Sequence, residues 1–303
     1  MRLRAALLLA VSGCTTQAVP ASHEAARGES CAFSAHVKPR SDERFVPVGG
    51  SVYVAHWEGG NVVVSKGVDG VVIVDPRSPE IDPALETWAP HAARTVIDTH
   101  SHRDHTAGNA AVARPGGVII AQAAVKARML TAQVFQGQPV PPAPAVDLPS
   151  RIYQDRSELT LNGERVELLH PAGAHTDGDT VVFFHGSGVV AMGDVFFPDH
   201  FPYVDPDSCG RVDALVAAID GFVRDWPADV RIIPGHGRSP CTMADLRVYQ
   251  GMLHDSMAWV HSGRELGLSP QALTARGGPP AYKAWAWPLV PEPLWVTLVA
   301  RAQ

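Results

Sequence analysis

Residues 98–109 read DTHSHRDHTAGN and follow directly on an apolar run, TVI. Four metal-capable side chains, His100, His102, Asp104 and His105, fall within six positions. In an extended segment alternate residues face the same way, so His100 and His102 point to one side. Asp104 and His105 lie past the bend and face a second point. A single ion asks for about four ligands in a closed shell. Four close donors aimed two ways suit two ions a few ångströms apart, and two ions need more donors. The fold must therefore bring further ligands to the end of this strand.

Three lone polar residues downstream meet that demand. PAGAHTDGDTVVFF sets His175 in a glycine-flanked turn before an apolar run, VVAMGDVFF ends a run at Asp194, and RIIPGHG ends another at His236. Loops at the ends of buried strands are where α/β scaffolds mount chemistry. Strand signals are dense around them. SVYVAHW, NVVVSKG and GVVIVD are β-branched runs separated by the turns EGGN and VDG. PALETWAPHAAR reads as a helix, TVID and GVIIAQ as strands, and AAVKARMLTAQVF as a helix. The Pro-rich QGQPVPPAPAVDLPS reads as a long loop of the functional kind. LTLNGERVELLH, DTVVFFHG and GVVAMGD read as strands, RVDALVAAIDGFVRDW and TMADLRVYQGMLHDSMAWVHS as helices. The tail, with Trp285, Trp287 and Trp295 among prolines, reads as a closing element packed on the core. No linker divides this body, which predicts one domain over 46–303 with sheets inside and helices outside.

Of the 303 residues 46% are apolar and 18% charged, enough for a large core and too little charge for disorder. The formal charge of −6, with no Lys/Arg-rich run, argues against a nucleic-acid partner. The N-terminus, MRLRAALLLAVSGCTTQ, has a basic start and an apolar stretch too short to span a bilayer, which predicts an export signal. Val11-Ser12-Gly13-Cys14 resembles the bacterial lipobox. It predicts a signal peptide over 1–13, lipidation of Cys14, a tether and lead-in over 14–45, and a periplasmic protein touching the membrane only through its lipid. Ordinary cleavage near Ala18 or Ala21 is the alternative. In that oxidising compartment Cys209 and Cys241 either pair near the site mouth or stay as two separate thiols.

The ordered set H-x-H-x-D-H, a single His, an Asp after MG and a His in PGHG resembles the metallo-β-lactamase-fold hydrolases over roughly 46–260. The resemblance implies an α/β protein, an αββα four-layer sandwich with a dinuclear site at one edge. It implies that His100, His102 and His175 bind one metal, that Asp104, His105 and His236 bind the other, and that Asp194 bridges them. Two Zn²⁺ ions suit imidazoles with a few carboxylates; with no cysteine at the bridge, iron or manganese suits them too. Such a pair of cations supplies a nucleophile from water near neutral pH and polarises a carbonyl. Asp104 is the candidate to orient that nucleophile or pass its proton to the leaving group.

An aspartate at 194 is the bridging residue of glyoxalase II-like thioesterases, lactonases and nucleases. Lactonases usually place a Tyr where this chain has Phe197, although Tyr203 follows on the same loop. Flavodiiron redox members have Glu where His102 stands. Export disfavours an intracellular glutathione thioester and makes β-lactam hydrolysis the leading expectation, with an ester, lactone or thioester as alternatives. A non-catalytic metal-binding accessory lipoprotein is a third reading, opposed by the presence of all seven ligand residues. A β-lactam carboxylate asks for a cation, and Arg103, Arg211 and Arg238 are the nearest candidates, although each is more often a surface residue. Asp75 matches a family position that buttresses the metal histidines, and Asp98 is a candidate to orient the same turn. His170 is a candidate support, and His200 and Tyr203 are candidate donors to a small-molecule acyl substrate. The loops 132–150 and 196–210 would select that substrate.

Overall fold

The computed structural model describes residues 44–113 and 116–302. The export signal, Cys14, Cys31 and most of the expected tether lie outside the described residues. Four strands first run antiparallel in order: β1 (Val46–Gly49), β2 (Val52–Trp57), β3 (Gly60–Gly67) and β4 (Gly70–Val74). After α1 (Ile81–Trp88) the sheet continues parallel, with β5 (Arg94–Ile97) beside β4. The short helices α2 (Arg103–Thr106) and α3 (Asn109–Ala113) precede β6 (Val118–Gln122), parallel to β5. Helix α4 (Ala123–Met129) leads into a separate hairpin, β7 (Gln133–Phe135) with β8 (Gln138–Val140). Strand β9 (Arg151–Tyr153) then closes the first sheet parallel to β6.

The second sheet begins with β10 (Arg156–Leu161), β11 (Glu164–Leu169), β12 (Val181–Phe184) and β13 (Val189–Gly193), all antiparallel neighbours. Helix α5 (Val212–Asp225) crosses to β14 (Arg231–Pro234), parallel to β13, and β15 (Cys241–Thr242) forms the edge. The chain ends in α6 (Met243–Glu265), α7 (Pro270–Arg276) and α8 (Glu292–Arg301).

Alternation along the strands builds four layers. Val63, Val72, Val74, Ile97 and Ile120 meet Val182, Phe184, Val189, Ala191 and Ile233 between the sheets. Their sequence neighbours Val62, Val64, Val71, Ile73, Val96 and Ile119 face α1 and α3 instead. On the other side Val181, Phe183, Val190, Met192 and Ile232 pack with Leu215, Leu246, Tyr249 and Trp295 of the later helices. These strands are buried on both faces, which explains why they read as continuous apolar runs. The αββα sandwich expected from the sequence is the observed fold.

Local differences have physical causes. The helix predicted over 83–94 ends at Trp88, because Ala89 precedes Pro90 and is held out of the helical region, at φ −141° and ψ 77°. The helix predicted over 123–135 ends at Met129, and Gln133–Phe135 pair with Gln138–Val140. The turn between them, Gln136-Gly137, has positive φ at both residues, as a two-residue hairpin requires. The first third of the expected Pro-rich loop is thus part of a hairpin. The tail packs as predicted: Trp295 is fully buried, stacks on Phe201 and donates to Ser256 Oγ at 3.0 Å. Cys209 and Cys241 are not bonded to each other, so the disulfide alternative is not formed. Among the described residues no helix is long and apolar enough to cross a membrane.

Candidate metal centre

Both sheets deliver side chains to one edge. The loop leaving β5 carries His100 and His102, and α2 carries Asp104 and His105. The loop between β11 and β12 carries His175, Asp194 follows β13 directly, and His236 sits in the turn after β14. That last turn is gripped from the first sheet. Asn61 donates its backbone N–H to Gly235 O and its side-chain amide to Pro234 O and Gly237 O. Gly235 is obligatory, since a Cβ there would lie 2.2 Å from Asp194 Oδ1.

The inward atoms form two groups. His102 Nδ1 lies 3.0 Å from His100 Nε2 and 3.1 Å from His175 Nε2. His236 Nε2 lies 3.1 Å from Asp104 Oδ2 and 3.3 Å from His105 Nε2. Donors at the usual zinc distances stand about 3.3 Å apart along a tetrahedral edge. Asp194 lies between the groups, with Oδ1 3.3 Å from His105 Nε2 and Oδ2 3.7 and 3.9 Å from His236 and His175. Its Oδ1 is buried and has no hydrogen-bond partner among the described residues.

The outward nitrogens decide what the inward ones can be. His175 Nδ1 donates to Tyr203 O at 2.6 Å, and His236 Nδ1 donates to Gly59 O at 3.1 Å. A carbonyl only accepts, so both outward nitrogens carry a proton, and in the neutral rings both inward Nε2 atoms present lone pairs. His102 Nε2 faces Asp205 at 2.9 Å, and His105 Nδ1 faces Asp75 at 2.8 Å. Thr99 Oγ1 gives its proton to Asp75, which leaves it to accept from His100 Nδ1 at 3.0 Å. Five lone pairs and two carboxylates therefore converge, an arrangement that calls for cations. The titration behaviour agrees. Burial and the neighbouring rings hold His100 well below the usual imidazole value and His175 down to about 4. Burial also opposes charge on His105, yet Asp104 and Asp194 beside it raise that ring to about 10. The surroundings of His105 thus attract a positive charge, while His100 and His175 stay neutral, the ligating form.

Asp75 holds the position expected of a buttress: it also accepts from Thr99 N at 2.8 Å, and so fixes the turn that carries His100. Tyr203 has its ring 6.1 Å from that of His175 and 6.5 Å from that of His102. Burial, with Asp205 next, raises its phenol and keeps it protonated. Three expectations need correction. Asp98 does not reach the turn through its carboxylate; it accepts from Asn109 at the start of α3, and burial pushes it well above the usual carboxylate range. His170 donates to Asp179 O at 2.7 Å and touches none of the converging rings. Asp179 is the nearer support, since it accepts from His175 N, Thr176 N and Thr176 Oγ1. His200 bonds Pro198 O and packs on Trp287, one aromatic layer outside Phe197, which stacks on His236.

Sequence reading missed Arg77, Asp205 and Phe135. Arg77 reaches in from the turn after β4 to Asp104, and Phe135 on the hairpin lies edge-on to His102 at 4.8 Å. The arginines expected as clamps are engaged elsewhere: Arg211 on Asp213, and Arg238 on Asp199 and Asp245. Arg103 is exposed. Because Asp205 aligns His102, Asp205→Asn should weaken metal binding about 10- to 100-fold. Chelator competition checks this, and an unchanged affinity would remove Asp205 from the support of the site.

A family model for the metallo-beta-lactamase superfamily matches residues 56–256. The chain belongs to this superfamily. Metallo-β-lactamase superfamily members are mostly metal-dependent hydrolases that act on small molecules, and the fold with this His/Asp cluster implies metal ions. The hydroxyacylglutathione hydrolase of Anaeromyxobacter dehalogenans (strain 2CP-C) is 32% identical over 214 residues, covering 68% of this chain and 73% of that one. The 2,4-dinitroanisole O-demethylase subunit alpha of Nocardioides sp. (strain JS1661) is 28% identical over 168 residues, 53% of this chain and 48% of that one. Among solved structures, a metallo-beta-lactamase from Pontibacter korlensis superposes with a TM-score of 0.56 at 15% identity, covering 70% of this chain and 98% of that one. The sec-alkylsulfatase Pisa1 from Pseudomonas sp. gives 0.64 at 15% identity, covering 85% of this chain and 49% of that one. The chain thus spans about half the length of the demethylase subunit and of the alkylsulfatase.

Proposed function

We propose that this metallo-β-lactamase-superfamily protein is a zinc-dependent acyl hydrolase with two ions at one edge of the sandwich. His100, His102 and His175 would hold one ion, Asp104, His105 and His236 the other, and Asp194 would lie between both. The observation that carries this reading is the orientation of the five imidazoles. Every outward nitrogen is committed to an acceptor, so in each neutral ring the inward nitrogen is the one that carries the lone pair. Two bound zinc ions would supply acidified water and polarisation of a carbonyl.

The chain's own residues do the rest. Asp104 is the half-exposed carboxylate of the group, with 53% of its side chain accessible. Burial pushes it upward, but His105, His236 and Arg77 outweigh that and hold it well below the usual carboxylate range. It therefore stays ionised, able to orient a nucleophile and take its proton. Phe135, Tyr203 and Phe197 wall the rings and exclude water from the reacting carbonyl.

Among acyl substrates, we favour an ester or thioester. The hydroxyacylglutathione hydrolase relative supports thioester chemistry. Arg77, Arg128, Arg211 and Arg238 are already paired with aspartates. β-Lactam hydrolysis is the second reading, favoured by the expected export, with Arg103 as the carboxylate clamp. The test compares a chromogenic cephalosporin, an aryl ester and an acyl thioester, each with zinc and with chelator. Zinc-dependent turnover of the ester or thioester at least about tenfold above the cephalosporin supports the first reading, and the reverse order supports the second. Turnover of none, in a protein that binds no zinc, would overturn the hydrolase reading.

A further inference from the structure

We propose that Arg77 is a positioning residue that weakens the second metal position, Asp104–His105–His236, so that the two ions load in sequence. The proposal rests on the dinuclear reading above.

Arg77 lies in the turn DPRS after β4, and its side chain is almost fully buried. One terminal nitrogen stands 2.8 Å from Asp104 Oδ2 and 3.2 Å from His236 Nε2. Its Nε is buried with no hydrogen-bond partner among the described residues. Its other terminal nitrogen lies 3.5 Å from Gly235 O, beside His236. Burying a guanidinium with an unmet donor is costly, so its contacts with the two ligands and the turn that carries His236 are what its placement serves. Gly60 makes the placement possible: a Cβ there would lie 2.1 Å from the guanidinium carbon.

Two effects follow, and both act on the same triad. His236 Nδ1 already donates to Gly59 O, so its Nε2 holds a lone pair. Arg77 donates into that lone pair, the one an ion would use. The guanidinium is also permanently charged, and it neutralises the carboxylate that would attract the ion. Among the described residues the first triad has no such neighbour. The outward nitrogens of His100, His102 and His175 rest on a hydroxyl, a carboxylate and a carbonyl. Its ion is held without competition, and the second is exchangeable and follows zinc supply.

The experiment is a stepwise zinc titration of the metal-free full chain, followed by calorimetry and native mass spectrometry. Wild type should bind two ions with affinities at least about tenfold apart. Arg77→Gln keeps a neutral donor for Asp104 and removes the charge. It should tighten the second step about tenfold or more and leave the first unchanged, whereas Arg77→Lys should keep the gap. A second step that weakens or does not move in Arg77→Gln would overturn the proposal. So would equal affinities in wild type, which needs no variant to fold. A chain that binds no zinc would instead sink the hydrolase reading and this inference with it. Two ions bound with an unmoved gap would sink the inference alone.

Discussion

Asp194→Ala should lower kcat by about a thousandfold or more while the protein still folds. Asp194 is the side chain placed between the two groups of donors, and its Oδ1 has no other partner among the described residues. Burial acts to raise its pKa, and His105, His236 and His175 outweigh that and lower it, so it is an anion among potential cations. Without it, positive charge at the two triads is no longer screened from itself. On the dinuclear reading proposed above, bound metal should fall below two per chain when measured by elemental analysis of the desalted variant. An intact circular dichroism spectrum separates this from unfolding. Full activity in Asp194→Ala would show that chemistry does not pass through this point.

Trp295→Ala should cost about 4 kcal/mol of stability, the range for emptying a large buried aromatic site. Trp295 is fully buried among the helices that cover the second sheet, and Ser256 Oγ would lose its donor. It also stacks on Phe201, whose backbone N–H donates to Trp285 O and whose carbonyl accepts from Trp287 Nε1. The loss is a large share of the 5–15 kcal/mol by which such domains hold together. Urea unfolding monitored at several wavelengths measures it, and Trp295→Phe should recover part. A loss below about 1.5 kcal/mol would mean the tail is peripheral to the core.

The candidate ligand residues were legible because they break a pattern. A strand buried on both faces is uniformly apolar, so a lone His or Asp at its end stands out, as at Asp194 after VVAMG and His236 after RIIPG. The same contrast made β2, β3, β4, β12 and β13 readable. Arg77 was not readable, because DPRSPE is a turn by composition and only the fold brings it to Asp104. Asp205 was hidden for the same reason, since its partner His102 lies 103 positions away. The short strands β7, β8 and β9 carry too few residues to show a period, and long-range pairing defines β9. His170 and Asp98 misled because a polar residue beside an apolar run is also how a protein fastens its own loops.

The donors come from opposite halves of the sandwich: His100, His102, Asp104 and His105 leave the first sheet, and His175, Asp194 and His236 leave the second. Any ion seated among them would be a rivet through both sheets at one margin. The interior of the sandwich is closed by side chains that need nothing from outside, while this margin depends on what the surroundings supply. Metal scarcity would therefore reach the protein as mechanical loosening as well as lost chemistry, and the seam would open first at this margin.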